Sequence, residues 1–344
     1  MTSDRNTSPL LALGTAILVL AALHLAAPIA EPVAFGLFAV ALAWPLQKAL
    51  QRRLPTLLAL GITLVVCAAI LGSLGSAIVW CLTRAVQYLS ANADRFQVLY
   101  QQKADWLGRH DVFLGRLALE HFDVPWVIAL LKGLLLRLQG ILSFLVVTLI
   151  FAMLGLLEVD ATRRKLLAPT SGEAGRIVVE AATQTAAKLR RYMLVRTGMS
   201  VLTGAAVWAF ARATGLELAL EWGLIAFVLN YVPFIGPLVA TLLPTLLAIA
   251  QFASVPMALV VFACLNVIQF VIGSYIEPRM AGATLSLSPF LVLFAVFFGS
   301  FLWGISGAFI GVPLLIAATT LCRCSPRSAW IADLLSGEAR SPGA

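Results

Sequence analysis

Charge is what this chain has least of. Lysine, arginine, aspartate and glutamate make up 12% of its 344 residues, about half the ~25% of an ordinary soluble domain. From Trp222 to Cys322 the only charged side chains are Glu277 and Arg279, which separate an uncharged run of 55 residues from one of 43. Runs of that length exclude a soluble core, because about 20 apolar residues at 1.5 Å each already cross a ~30 Å hydrocarbon layer. Histidine is scarce as well. His24, His110 and His121 show no ligand spacing, and the Cys322–x–Cys324 pair lacks the further ligands a zinc site needs. The other cysteines, Cys67, Cys81 and Cys264, suggest no disulfide framework. A Gly-x-x-x-x-Gly-Lys-Ser/Thr phosphate loop is missing, which argues against pumping driven by ATP within the chain. Missing too are the Gly-x-Ser-x-Gly and His-Glu-x-x-His patterns that an intramembrane protease would use. The expectation is no enzyme, no metal and no cofactor.

What is present is apolar and basic. Hydrophobic residues reach 61% and the mean hydropathy is +0.96, the composition of a polytopic membrane protein. A net charge of +8 and a pI near 9.6 would suit nucleic acid. In a membrane chain the simpler account is lysine and arginine retained in cytoplasmic loops, so no nucleic-acid partner is expected.

The fold class expected is an all-α polytopic membrane protein with about eight transmembrane or re-entrant helical segments and an extracytoplasmic helical insert. Residues 1–83 hold the N-terminal spans, with a turn expected at Pro28, Glu31 and Pro32 and a basic cluster at Lys48, Arg52 and Arg53. Residues 84–137 form the insert. There Val86, Leu89, Phe96, Leu99, Trp106 and Leu107 recur at three- and four-residue steps, as in amphipathic helices. Residues 138–213 hold two spans around a loop, 158–196, with eight bases against four acids. Within that loop, 173–192 reads either as a helix on the inner leaflet or as a solvated linker helix. The two basic segments place both termini on the cytoplasmic side of the membrane.

Residues 214–323 are a core broken by glycine and proline, and 324–344 a cytoplasmic tail. The breakers are Pro233, Gly236, Pro237, Pro244, Pro278, Gly282, Pro289, Gly304, Gly307 and Pro313. Broken backbone at membrane depth survives only beside protein or a watery cavity, and in transporters it often builds the solute site. Residues 222–232 cover only about 16 Å as a helix, too little to span alone. Joined to 238–251 they would make a re-entrant hairpin, although a full crossing by 213–232 is an alternative. Residues 284–321 would make a second hairpin, re-entrant or crossing. A weak internal echo relates the two, Trp222-Gly223 through Pro233 and Trp303-Gly304 through Pro313; chance explains it as well as duplication does.

The run Asn230, Tyr231, Val232, Pro233, Phe234, Ile235, Gly236, Pro237, with Pro244 after it, resembles the Ile-Pro-Tyr-Ile-Gly-Pro signature of the autoinducer-2 exporter family. Gln269, Ile276-Glu277-Pro278, Gly282, Leu287-Ser288-Pro289, Gly299, Gly304, Gly307 and Pro313 are similar to that family's carboxy-terminal pattern. The chain departs at Phe234, where the family usually has tyrosine. The resemblance implies a secondary transporter or exporter of a small polar solute, such as a furanosyl signalling molecule. An alternative that it also carries is a sodium(lithium)/proton antiporter, and outside transport the alternative is a membrane scaffold.

On a regular helix Asn266, Gln269, Gly273 and Glu277 fall within an arc of roughly 80°, which gives a polar, indented face. That face either lines a cavity or bonds to a neighbouring helix. Substrate binding is therefore expected of Asn230, Tyr231, Pro233, Gly236, Pro237, Asn266 and Gln269. Glu277 and Arg279 are expected in coupling or gating, either as a proton carrier or as an ion pair. At the Pro-Gly-Pro break, N–H groups left free at the start of the second half-helix would face the solute. The partners expected are the lipid bilayer, a small polar solute or monovalent cation and, as an alternative to a monomer, further copies of the chain in a homo-oligomer.

Overall fold

The computed structural model describes residues 7–94, 98, 124–252, 254–281, 287–324, 328–330 and 332. It is all-α. Six of its helices are long and apolar enough to cross a membrane, at Ala27–Gln51, Thr56–Ala91, Ser143–Leu166, Gly172–Thr214, Pro256–Ile276 and Pro289–Cys324. The polytopic membrane fold expected from composition is therefore the fold observed. The insert residues 99–123, with Leu99, Trp106 and Leu107, and also Phe96, lie outside the described residues.

The chain divides into two compact units, one of Met1–Ala68, Phe144–Arg191 and Ala283–Ala344, the other of Ala69–Ser143 and Tyr192–Gly282. It passes between them inside three long helices, α3 (Thr56–Ala91), α4 (Val124–Leu166) and α5 (Gly172–Thr214). The expected boundaries at 83/84 and 137/138 thus fall inside continuous helix. So does the basic segment 173–192, which is the first half of α5 and no separate surface helix.

In the first unit α1 (Thr7–Leu25) and α2 (Ala27–Gln51) are separated at Ala26 alone. The turn expected at Pro28–Pro32 is displaced toward the N-terminus for a simple reason. Proline at the first helical positions lacks an N–H that would be unpaired anyway, so Pro28 starts α2 and does not break it. Pro32 and Pro45 lie further inside. Pro45 has no N–H to offer the carbonyl four residues back. That carbonyl, of Ala41, accepts instead from Arg190 Nη1 on α5 at 3.0 Å. Nearby, buried Gln47 accepts from Thr63 Oγ1 at 2.8 Å and Lys48 pairs with Asp160 at 2.7 Å.

The hairpin expected over 284–321 is present. Pro289–Cys324 folds back at Trp303 (φ −134°) and Gly304 (φ 64°, ψ −140°), the second a conformation only glycine adopts without strain. Its arms touch backbone to backbone, Gly299 against Gly307 and Ala295 against Gly311, with no room for a Cβ at any of the three glycines. The first arm, 289–302, is roughly 21 Å long at 1.5 Å per residue, short of the hydrocarbon thickness. At the turn the Trp303 indole donates to Leu23 O at 3.1 Å, and His24 Nδ1 lies 2.9 Å from Leu302 O. Each helix end thus has its last carbonyls capped by the other's aromatic side chain.

The second unit is built on a core that includes Val207, Trp222, Ala226, Leu247, Val261 and Leu265. Its helices are the end of α3, the start of α4, the second half of α5, α6 (Ala219–Leu229), α7 (Ile235–Phe252) and α8 (Val255–Phe270). One π turn, Val271–Ile276, joins α8 to the short α9 (Glu277–Ala281); the hairpin helix of the first unit is α10.

Candidate functional site

Residues 230–234 interrupt what would otherwise be one apolar helix from Ala219 to Phe252. Phe234 takes φ 63°, a region that costs a bulky side chain about 1–2 kcal/mol. Two residues on, a Cβ at Gly236 would run into the carbonyl of Leu229. The two half-helices therefore meet more closely than any side chain would allow.

The backbone at this break is not free, contrary to expectation. Ile235 N donates to Pro233 O (2.7 Å), Gly236 N to Val232 O (3.0 Å) and Leu238 N to Phe234 O (3.3 Å), while Pro237 has no N–H. All four leading groups of α7 are thus used or absent. Ends of α6 are served likewise, with Asn230 N on Ala226 O and Val232 N on Leu229 O. Tight turns inside the break consume the groups that a wide one would leave to a solute.

The polar atoms that remain are side chains, and α5 organises them. Arg196, Ser200 and Thr203 recur at four- and three-residue steps, on one helix face, and are 6%, 0% and 0% exposed. Asn230, also 6% exposed, donates from Nδ2 to Ser200 Oγ at 3.2 Å. Tyr231 OH donates to Thr197 Oγ1 at 3.0 Å, its ring edge-on to Phe227 at 5.8 Å. Arg196 Nη1 donates to Glu277 Oε1 at 2.6 Å, with side chains 7% and 24% exposed. Among the described residues, Arg196 Nε and Thr203 Oγ1 are buried without a hydrogen-bond partner. Leaving such a group unpaired costs about 1–3 kcal/mol.

Glu277 therefore pairs with Arg196, and not with Arg279. Residues two apart on a helix point in different directions, and Arg279 turns back to Tyr275, stacking on its ring at 3.9 Å and donating to its hydroxyl at 2.7 Å. The expected arc is also rearranged. In the π turn Glu277 N bonds to Ile272 O, five residues back. Such a turn holds one more residue than an α turn and shifts later side chains by about 100°. Glu277 accordingly faces Arg196, whereas Asn266 is exposed, with its amide donating to Phe262 O of its own helix at 2.8 Å, and Gln269 is half-buried. Among the described residues neither side chain hydrogen-bonds to the break.

The remaining breakers are dispersed. Pro233 and Pro244 are buried, one in the break and one inside α7. Pro278 is the second residue of α9 and Pro289 the first of α10; Gly282 lies outside the described residues. Gly304 makes the hairpin turn, and Gly307 and Pro313 are buried in its second arm. Arg196, Thr197 and Ser200 were not distinguished by sequence reasoning. The one available signal is the polar spacing 196, 200, 203 running into a span. Glu221, a buried acid, meets Arg84 at 3.4 Å.

Comparison with known proteins agrees with this architecture. The model of the AI-2E family transporters matches residues 13–326. The chain belongs to the AI-2E transporter family. It is 30% identical over 333 residues to the AI-2 transport protein TqsA of Escherichia coli (strain K12), covering 94% of each chain. Two further relatives carry provisional transport names: a Haemophilus influenzae protein, 27% identical with 95% of each chain covered, and YhhT of Escherichia coli (strain K12), 27% identical with 91% of this chain and 88% of that one covered. In this AI-2E transporter neutral hydrogen-bonding groups lie at the helix break, and the Arg196–Glu277 pair starts one turn away on α5.

Proposed function

We propose that this AI-2E transporter is a secondary carrier that exports a small polar solute through the break at 230–234, a furanosyl signal of the autoinducer-2 type being the first candidate. The observation that carries the reading is the buried Asn230–Ser200 hydrogen bond at the interruption of an apolar helix. Polar groups are costly in such surroundings and are usually kept for function. The printed name of TqsA, an AI-2 transport protein, supports the choice of solute. Asn230, Tyr231, Pro233, Gly236 and Pro237 form the solute site in this reading. The break exposes little backbone, so hydroxyl and amide side chains do the binding. Asn266 and Gln269 remain a second polar face of the same unit, for which the proposed role is entry or exit.

The sodium(lithium)/proton alternative has its own support in the Arg196–Glu277 pair. Charged side chains kept within a membrane protein commonly mark ion pathways, and antiport requires groups of that kind. The test is flux into sealed vesicles holding the purified full chain, oriented by tag accessibility. Furanosyl signal, sodium, lithium and protons are each followed with and without an imposed pH gradient. Signal flux that saturates supports the carrier; cation flux alone supports the antiporter; vesicles that move none of them leave the scaffold. In all cases the proposed setting is the bacterial plasma membrane with both termini cytoplasmic.

A further inference from the structure

The guanidinium of Arg196 offers five N–H donors and no acceptor. Glu277 takes one from Nη1 at 2.6 Å, while the Nε donor is buried and unmatched among the described residues. Arg196 is also adjacent in sequence to Thr197 and one helical turn from Ser200, whose hydroxyls hold Tyr231 and Asn230 of the break. Arg196 thus shares a face of α5 with Ser200, the residue that holds Asn230 of the break. Its charge is already balanced by Glu277. A second anion on the same guanidinium would place two negative groups together in a desolvated site, whereas a neutral oxygen adds an acceptor and no charge. The surrounding groups, two hydroxyls, a phenol and an amide, make the same selection, since each bonds to hydroxyl oxygens and none is charged.

On the reading that the break binds solute, we propose that Arg196 is a specificity-determining residue, donating from Nε to a hydroxyl or ether oxygen of an uncharged, polyhydroxylated ligand. In this conformation the donor is closed to solvent, so binding requires a rearrangement that opens it. Glu277 then has a second duty: by holding Nη1 it fixes the guanidinium plane and so the direction in which Nε is presented.

The test uses purified full-length protein and three probes: methyl ribofuranoside, its 2,3-dideoxy counterpart and its 5-phosphate. Binding is read by calorimetry. The wild type is expected to bind the ribofuranoside more tightly than the other two. Arg196→Lys keeps a cation for Glu277 but has no Nε fork, and is expected to raise the half-saturating concentration about tenfold or more and to erase the preference for the diol. Should that variant not fold, Arg196→Met with Glu277→Leu removes the donor without stranding a charge, with the same loss expected. Unchanged binding in the folded variant, preference for the phosphate, indifference to the diol, or no binding of any probe by the wild type would each overturn the assignment. Vesicle flux separates the two readings. Signal flux in the wild type with unaltered ribofuranoside binding in the variant sinks this assignment alone; no signal flux with lost binding in the variant sinks the export reading alone.

Discussion

At the scale of single residues, the side chains that matter are those whose partners lie far off in sequence. Arg196 and Glu277 are 81 positions apart, and removing one leaves the other's charge partly buried and unpaired. Arg196→Ala is expected to destabilise the detergent-solubilised protein by about 3 kcal/mol. Glu277→Gln should cost less, since a neutral amide oxygen still accepts from Nη1. Arg279→Ala, in an exposed stack, should stay within about 0.5 kcal/mol. Thermal unfolding followed by tryptophan fluorescence ranks the three, and equal losses for Arg196 and Arg279 would contradict the pairing. Gly236 gives a second test. Gly236→Ala forces a methyl against the Leu229 carbonyl and should cost about 2 kcal/mol or more, while Gly273→Ala, with nothing within 4 Å, should be neutral or stabilise by up to about 1 kcal/mol. Little of this was legible in sequence. Arg196 stood among eight bases of a loop that looked merely cytoplasmic, and nothing local distinguishes a cation that reaches a distant carboxylate from one that reaches water.

At the scale of elements, breaks were legible where they rest on residue type and illegible where they rest on hydrogen-bond pattern. The hairpin over α10 followed from Trp303-Gly304 and the small residues facing across it, because only glycine permits both the turn and the contact. The π turn at 271–276 has no such signature, being a choice of bonding partner among ordinary apolar residues, and it moved Glu277 away from the face expected for it. Deleting Gly273 should restore a regular helix, turn Glu277 off Arg196 and reproduce the instability of Arg196→Ala; a deletion variant as stable as the parent would contradict this. Pro45 provides an independent case. If Arg190 serves the carbonyl that Pro45 leaves unbonded, Pro45→Ala returns an N–H to Ala41 O and makes Arg190 redundant there. Arg190→Ala should then cost about 1 kcal/mol alone and close to nothing in the Pro45→Ala background. Additive losses in the double-mutant cycle would show that the two do not share that oxygen.

For the whole molecule, composition alone was enough for an all-α chain in a membrane, because an uncharged run of 55 residues has no other home. Its division into units was not legible, since three of the four crossings between them lie inside continuous helices, where no change in composition marks a boundary. Sidedness remains the global prediction. In a background lacking all five cysteines, single cysteines at Gln51 and Ser171 should resist an impermeant thiol reagent in intact cells, and one at Gln102 should react. The reverse pattern would invert the assignment of both termini.

The bond from Arg190 to Ala41 spans 149 positions, and a ribosome makes the two ends at different times. At about 5–20 residues per second, α2 waits roughly 7 to 30 s for its guanidinium. Through that interval the nascent chain has no Arg190 to serve the oxygen that Pro45 leaves unbonded. Chains stalled just before and just after α5 emerges should therefore differ in how fast a protease cuts near Pro45, although the cut site itself was synthesised long before either stall.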